Sequence, residues 1–496
     1  MVLRRDDWIE LARKVDWTYR YVDERDVFPE AVSGSPWLPH DAWKDWTETY
    51  RTTYREYVTN QRAKDESVLG VRSALSKSHV LEGLDPGWVQ LVKFHHGALA
   101  LAEYAGAVAE LRMARFGRDS AWRMMASLGA LDEIRHTQIP LLLGHDMLSF
   151  DGNFDWTHKA YHTNEWLIIA ARHLFDDMFL AADASDVAIQ LNFVFETGFS
   201  NLQFMAMAAM ADAADHHLFE KALASIQTDE ARHAQIGHPV LRVLLENGAT
   251  ERAQYLVDKM WWRCWRLMLG LTGTAMEYLT PVEARTQSFK EFMEEWVVDQ
   301  FMKNLAEFQL ERPWFWDLFV EEMDYAHHSL QLGLYAYRTT LWFDVAMPDV
   351  RERAWLSDKY PGWNDTFGLH WDRLEHRWAT GGEADTLAAA LPALCNLCQL
   401  PTLFVRPGRN TACTLELDGR KYLFCSEPCR WIFTRESQRF ADHKSVVDRI
   451  VVGEAPGKLT ELHTWMELDA PVETGKDLRR GLDAWRLAPV PTARAR

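Results

Sequence analysis

The string Asp-Glu-x-Arg-His occurs twice in this chain, as Asp132-Glu133-Ile134-Arg135-His136 and as Asp229-Glu230-Ala231-Arg232-His233. Each copy contains Glu-x-x-His. On a helix, residues three apart share a face, so the carboxylate and imidazole of one copy can reach the same metal ion. Two copies offer ligands for two metals, held on helices that face each other. With 19 His in 496 residues, chance alone yields on the order of one Glu-x-x-His. Chance does not also repeat the preceding Asp and the internal Arg. The plainer reading, two charged helix faces with i,i+4 Asp/His pairs, leaves that repetition unexplained.

A di-metal helical bundle takes one Glu from each of two helices and Glu-x-x-His from each of the other two. Upstream of the first copy, the helix read over His95–Phe116 offers Glu103 and Glu110, which face roughly the same way. Upstream of the second, Glu196 is the only acid in the apolar stretch Ile189–Met210. Such an acid is costly to bury unless it is paired or metal-bound. The spacing from Glu103 to Glu133 parallels that from Glu196 to Glu230 better than the spacing from Glu110 does. The set is then Glu103, Glu133, His136, Glu196, Glu230 and His233. Four carboxylates and two imidazoles suit iron or manganese, whereas zinc more often takes sulfur and nitrogen. Asp132 and Asp229 lie four residues before each His and are placed to accept the hydrogen bond from its free ring N–H. Arg135 and Arg232 are placed to neutralise them, although ordinary helix salt bridging uses the same spacing.

Length and composition set the frame. Residues 1–80 read as a charged, aromatic arm with short helices; 81–310 as the helical bundle; 311–380 as additional Trp-rich helices; 387–455 as a small Cys module; and 456–496 as a polar tail. Pro140 with Gly144, Gly248, and Leu279-Thr280-Pro281 mark helix breaks, and Gly381-Gly382 opens a linker. Trp is frequent at 23, which suits large buried contacts. A net charge of −18 argues against nucleic acid as a partner. The N-terminus has no apolar signal region, and no run of about 18 uncharged apolar residues exists, so a cytoplasmic protein without a membrane span is expected.

Cys395-x-x-Cys398 and Cys425-x-x-x-Cys429 offer four thiolates in two close pairs, spacing typical of a structural zinc site. Tyr422-Leu423-Phe424 reads as a strand into Cys425, and Ser426-Glu427-Pro428 as the opening of a helix. The segment resembles the small YHS/TRASH-type metal module. Cys264 and Cys413 read as apolar fillers.

Longer strings carry a wider resemblance: Gln61-Arg62-Ala63-Lys64-Asp65, Arg112-Met113-Ala114-Arg115-Phe116, Tyr161-His162-Thr163-Asn164-Glu165-Trp166, Phe195-Glu196-Thr197-Gly198-Phe199, Ser225-Ile226-Gln227-Thr228-Asp229-Glu230 and Gln287-Ser288-Phe289-Lys290-Glu291-Phe292. Over roughly residues 5–380 the chain resembles the hydroxylase α-subunit of soluble bacterial multicomponent di-iron monooxygenases, in the toluene/benzene and alkene (isoprene-type) branch. The resemblance implies a mainly α, ferritin-like (ribonucleotide-reductase-like) fold, two non-haem irons, O2 activation and insertion of one oxygen atom into a hydrocarbon. It carries the iron ligands onto the six residues above and selects Glu103 over Glu110. Family pocket positions fall on Leu99, Ala102, Gly106, Phe175, Phe195 and Phe204; of these, Leu99, Ala102 and Gly106 share one helix face with Glu103. Ser200 stands where the family often has Thr and keeps the hydroxyl for proton delivery. Asn201 and Gln227 match polar positions that respond to a regulatory partner.

The chain has no Gly-x-Gly-x-x-Gly fingerprint and no Rieske Cys/His pattern, so electrons must come from outside. The family supplies a Rieske ferredoxin, a flavin NADH reductase, a small effector protein, and β and γ subunits in a paired hydroxylase assembly. A fatty-acyl desaturase or radical-generating reductase subunit shares the ligand pattern, as does a non-enzymatic ferritin-like iron protein. The length beyond the bundle and the longer strings above count against the first two, and the length and the Trp-rich helices against the last. Alkene epoxidation and aromatic hydroxylation both remain open as the reaction.

Overall fold

The computed structural model describes residues 38–456 apart from 45, 76–79, 149, 152–153, 155–165, 180, 338–342, 344, 381–392, 403–404, 407, 409 and 442–443, together with Asp6, Glu461 and Trp465. Most of the arm before residue 38, the string from Tyr161 to Glu165, the Gly381-Gly382 linker and nearly all of the tail lie outside the described residues.

Two helical hairpins form the heart of the fold. In the first, α2 (Pro86–Phe116) and α3 (Ser120–Met147) are joined by a short connection, which forces them antiparallel. Asp85 caps α2 by accepting from the Gly87 and Trp88 N–H groups, with Pro86 at the first helical position, and Asp119 caps α3 in the same way. After α4 (Trp166–Phe179), the second hairpin begins with α5 (Ala184–Ala188). It runs into a π-helical turn over Ile189–Ser200, continues as α6 (Asn201–Ala213) and returns as α7 (His217–His233). Asp215 makes the reversal with a left-handed φ of 56°. The two hairpins pack on each other through α3 and α7.

Two local expectations need correction. Pro140 does not break α3, which runs on to Met147. Proline removes the N–H that the His136 carbonyl would receive, yet the extensive packing of α3 along α2 holds the helix together. Residues 54–75, read as part of an arm of short helices, form one helix of 22 residues, α1 (Tyr54–Leu75). Its buried side chains Tyr57, Gln61 and Val68 lie against the bundle, so tertiary contact extends a polar sequence that has little apolar patterning.

α8 (Gly237–Glu246) leads into α9 (Thr250–Thr274), which is buried nearly all round. Gly248 stops α8 with a φ of 80°. The later Trp-rich helices, among them Trp316–Glu322, Ala326–Tyr337, Val350–Lys359 and Leu369–Ala379, add outer packing. Trp261 on α9 stacks on Phe301 with ring centroids 3.6 Å apart and on Trp316 at 5.8 Å. Tryptophan supplies the large flat area that such a wrapped helix needs.

The C-terminal module is a small α+β unit. β1 (Cys413–Leu417) pairs antiparallel with β2 (Arg420–Phe424) around the positive-φ pair Asp418-Gly419, the dipeptide a tight hairpin favours. Helix Glu427–Arg435 follows, with Pro428 in its first turn. α9 anchors the module: Arg263 donates to the Leu397 carbonyl at 3.1 Å, and buried Lys259 links Asp177 to Glu436. No helix among the described residues is long and apolar enough to cross a membrane.

Close packing against the second hairpin makes Gly237 of α8 intolerant of a side chain. A Cβ on Gly237 would lie 2.5 Å from the Phe193 backbone nitrogen, inside the π-helical turn. Gly237→Ala should lower stability by about 2–3 kcal/mol, the cost of forced overpacking. Gly70→Ala on α1, with open space around it, should be neutral or slightly stabilising. Thermal unfolding of the two variants beside the parent chain checks the contrast.

Candidate active site

Each hairpin supplies one Glu and one Glu-x-x-His. α2 carries Glu103, α3 carries Glu133 and His136, the π-helical turn carries Glu196, and α7 carries Glu230 and His233. The π register is a frequent device for turning a side chain into a site. All six are buried, none more than 8% exposed.

Their ligating atoms form two overlapping groups, each within 4.8 Å: Glu103, Glu133, His136 and Glu230 in one, and Glu133, Glu196, Glu230 and His233 in the other. Glu133 and Glu230 belong to both. His136 Nδ1 lies 3.3 Å from Glu103 Oε2 and 3.2 Å from Glu230 Oε1. His233 Nδ1 lies 3.0 Å from Glu133 Oε1 and 3.9 Å from Glu196 Oε1.

The opposite ring nitrogens fix both imidazoles, and the pairing crosses the hairpins. His136 Nε2 is 3.2 Å from Asp229 Oδ2, and His233 Nε2 is 2.9 Å from Asp132 Oδ2. Spacing alone suggests the aspartate within each copy instead. Nε2 points away from Nδ1, so a ring that turns Nδ1 to the carboxylates projects Nε2 onto the facing helix.

Around the aspartates lies a cationic and amide layer. Arg232 Nη2 pairs with both Asp132 and Asp229, and Arg135 reaches Asp229 at 3.2 Å and Ser225 Oγ at 2.6 Å. α1 closes this layer. Tyr57 donates to Asp132 at 2.9 Å, Gln61 Nε2 donates to Asp132 and Asp229 at 2.7 Å each, and Lys64 pairs with Asp229. Sequence reasoning assigned no role to these three. Their i, i+4, i+7 spacing, three polar groups on one helix face, was the available signal.

The charge balance explains why cations fit. Burial and then the Glu133 charge push Glu103 well above the usual carboxylate range, and burial and then Glu230 do the same to Glu196. Glu133 is held low despite its burial, because the His136 and His233 imidazoles stand against it, His233 within hydrogen-bond distance. Both imidazoles are driven well above their ordinary value by the surrounding carboxylates, although burial opposes this. His136 Nδ1 and Glu230 Oε1, both buried, have no hydrogen-bond partner. A divalent cation would satisfy such atoms and replace shared protons as the counter-charge.

One side of the centre opens on an apolar cavity. Leu99, Ala102, Gly106, Phe175, Phe195 and Phe204 all line it, beside Glu103, Glu133, Glu196, Glu230 and Ser200. Ser200 Oγ donates to Glu230 Oε2 at 2.9 Å. Gly106 does more than border the cavity: a Cβ there would sit 2.9 Å from Glu133 Oε2, so the glycine makes room for that carboxylate. His95 and Gln203 add polar edges that the sequence reading did not anticipate. Asn201 and Gln227 do not line the cavity; they pair with each other at 2.6 Å, partly buried, where α6 meets α7.

Two further groups are buried elsewhere. Cys395, Cys398, Cys425 and Cys429 bring four reduced sulfurs within 4.8 Å, with Trp262 Nε1 donating to Cys429 Sγ at 3.1 Å. Cys264 and Cys413 stay outside that group. Glu277, His327 and His328 also converge, but Glu277 is already bonded to His327 and Tyr360 at 2.6 Å and to the Phe289 N–H at 2.7 Å.

Because Glu230 is shared by both ligand groups, Glu230→Ala should lower the affinity for both metals and not for one alone. Metal analysis of the purified variant against the parent checks this: one ion retained at parental affinity would count against sharing.

The family model for methane/phenol/alkene hydroxylases matches residues 17–248. The chain is 40% identical to the oxygenase component α subunit of the alkene monooxygenase system of Xanthobacter autotrophicus, over 96% of both chains. It is 27% identical to the oxygenase component of phenol 2-monooxygenase from a Pseudomonas species, covering 91% of this chain and 88% of that one. Its fold matches the crystal structure of xenon-pressurised phenol hydroxylase from Pseudomonas sp. OX1 with a TM-score of 0.80, at 24% identity, over 98% of this chain and 99% of that one. With two ligand groups sharing two carboxylates beside an apolar cavity, the chain belongs to the methane/phenol/alkene hydroxylase family and is a catalytic oxygenase subunit of a multicomponent monooxygenase.

Proposed function

We propose that the chain holds two iron ions on Glu103, Glu133, His136, Glu196, Glu230 and His233 and oxidises small alkenes to epoxides. The observation that carries this reading is the pair of shared carboxylates, Glu133 and Glu230, on the wall of an apolar cavity. When bound, the irons supply the reduction of O2 and the transfer of one oxygen atom to the hydrocarbon. The preference for alkenes rests on the 40% identity to an alkene monooxygenase subunit.

The protein's own groups set the conditions. With the irons bound, Asp132 and Asp229 would accept from the Nε2–H of the facing His and leave each Nδ1 lone pair directed at the centre. Ser200 holds a proton at Oγ, next to the Glu230 carboxylate and on the cavity wall, and so can pass it between the centre and a bound molecule. Leu99 and the three phenylalanines keep water from the hydrocarbon. Asn201 and Gln227, paired outside the cavity, are positioned to respond to a protein docking over α6 and α7.

In this reading electrons come from NADH through a flavin reductase and a Rieske ferredoxin, and a small effector protein and β and γ subunits complete a paired, cytoplasmic assembly. The four cysteines hold a structural zinc that fastens the C-terminal module to α9 through Trp262 and Arg263. Cys425→Ser should release zinc and lower the melting temperature; a chain that never contained zinc, with four freely titratable thiols, would remove that part of the reading.

The decisive experiment is turnover by the reconstituted system with NADH. Propene and isoprene should give epoxides at least tenfold more efficiently than benzene or toluene gives phenols; the reverse order would assign the site to aromatic rings. Leu99→Ala, which widens the cavity without touching a carboxylate, should extend turnover to longer alkenes. Gly106→Ala should instead lower iron content through Glu133, and measuring product profile and bound iron on both variants separates the two effects.

A further inference from the structure

Glu110, the acid that spacing offers as an alternative to Glu103, is fully buried and belongs to neither ligand group. Its Oε1 accepts from Asn192 Nδ2 at 2.7 Å, and the same nitrogen donates to Glu196 Oε2 at 2.7 Å. An amide nitrogen carries two hydrogens, so one Asn192 side chain serves both carboxylates. Each end is fitted. A Cβ on Gly129 of α3 would come within 3.0 Å of the Glu110 carboxyl, so this glycine leaves it room. Thr197 Oγ1 donates to the Asn192 carbonyl at 2.7 Å and braces the π-helical turn between Asn192 and Glu196. Neither Asn192 nor Glu110 lines the cavity.

We propose that Asn192 and Glu110 are a positioning pair that makes Glu196 a single-oxygen ligand. Oε2 is held by the amide, and only Oε1, 3.9 Å from His233 Nδ1, is left to face the centre. The proposal rests on the two-metal reading above. A buried carboxylate with a free second oxygen can rotate or chelate through both; a hydrogen bond from a fixed amide removes that freedom. Glu110 stops the amide from turning, because it takes the second N–H and leaves Asn192 one orientation. The asymmetry matters: Glu196 is held by an amide that a second carboxylate keeps from turning, whereas Glu230 is held by the rotatable Ser200 hydroxyl alone.

The test uses the assembled protein, stripped of metal and titrated anaerobically with ferrous iron. The parent chain should bind two ions. Asn192→Ala should weaken the more loosely held ion about tenfold, the size expected for losing one hydrogen bond to a charged group. It should also change the Mössbauer quadrupole splitting of one of the two irons. Glu110→Ala should shift both readings the same way by a smaller amount. Glu110→Gln, whose amide oxygen can accept from the same N–H, should restore the parental values. Parental affinity and an unchanged spectrum in Asn192→Ala would overturn the proposal, as would identical behaviour of Glu110→Ala and Glu110→Gln. If Asn192→Ala fails to fold, the comparison of the two Glu110 variants decides. A parent chain that binds no pair of ions would defeat the two-metal reading itself, before any variant is measured.

Discussion

Four carboxylates and two imidazoles are packed into one buried space between two helical hairpins, and that crowding governs the surrounding structure. An isolated buried carboxylate is strongly unfavourable, and several together repel. The fold answers in layers. Imidazoles stand between the carboxylates, aspartates fix the imidazoles from behind, and Arg135, Arg232, Lys64 and Gln61 hold the aspartates. The aspartate–histidine pairs cross from one hairpin to the other. A shift of either hairpin would therefore break both pairs at once, so the polar network fixes the register that apolar packing alone would leave adjustable.

The same arrangement separates a polar side from an apolar side. On one face of the centre the polar layer runs outward through the aspartates to α1, where Lys64 and Arg135 are only partly buried. On the other, Leu99, Phe175, Phe195 and Phe204 enclose an apolar cavity. The first face carries the charge and the second is apolar. Ser200 sits at the boundary, bonded to Glu230 and open to the cavity. α9 supports the apolar side from behind, with Leu267, Gly270 and Leu271 on the cavity wall and its tryptophans packed into the outer helices.

Much of the centre was legible because its chemistry is local. Glu133 with His136 and Glu230 with His233 need only one helical turn each, and Glu196 was conspicuous as the lone acid in an apolar stretch. Spacing favoured Glu103 over Glu110, and family resemblance selected it. The structure shows why spacing alone was a weak guide: both are buried on α2, one at the ligand groups and the other bonded to Asn192. The role of α1 was not legible, since a polar helix gives no periodic signal until the groups it contacts are known. Pro140 misled for a related reason, because the packing that carries α3 past it lies on α2.

Taken alone, the sequence determined the two Glu-x-x-His turns, the lone acid of the apolar stretch and the four-thiol module, because each is set by residue identity over a few helical turns or a short loop; the cavity positions came from family resemblance. The tertiary structure decided which aspartate serves which histidine, that Glu133 and Glu230 are shared, that Gly106 clears space for a carboxylate and that Glu110 stands behind Glu196. Those outcomes depend on the distance and rotation between helices far apart in the chain, quantities fixed only when the two hairpins close on each other.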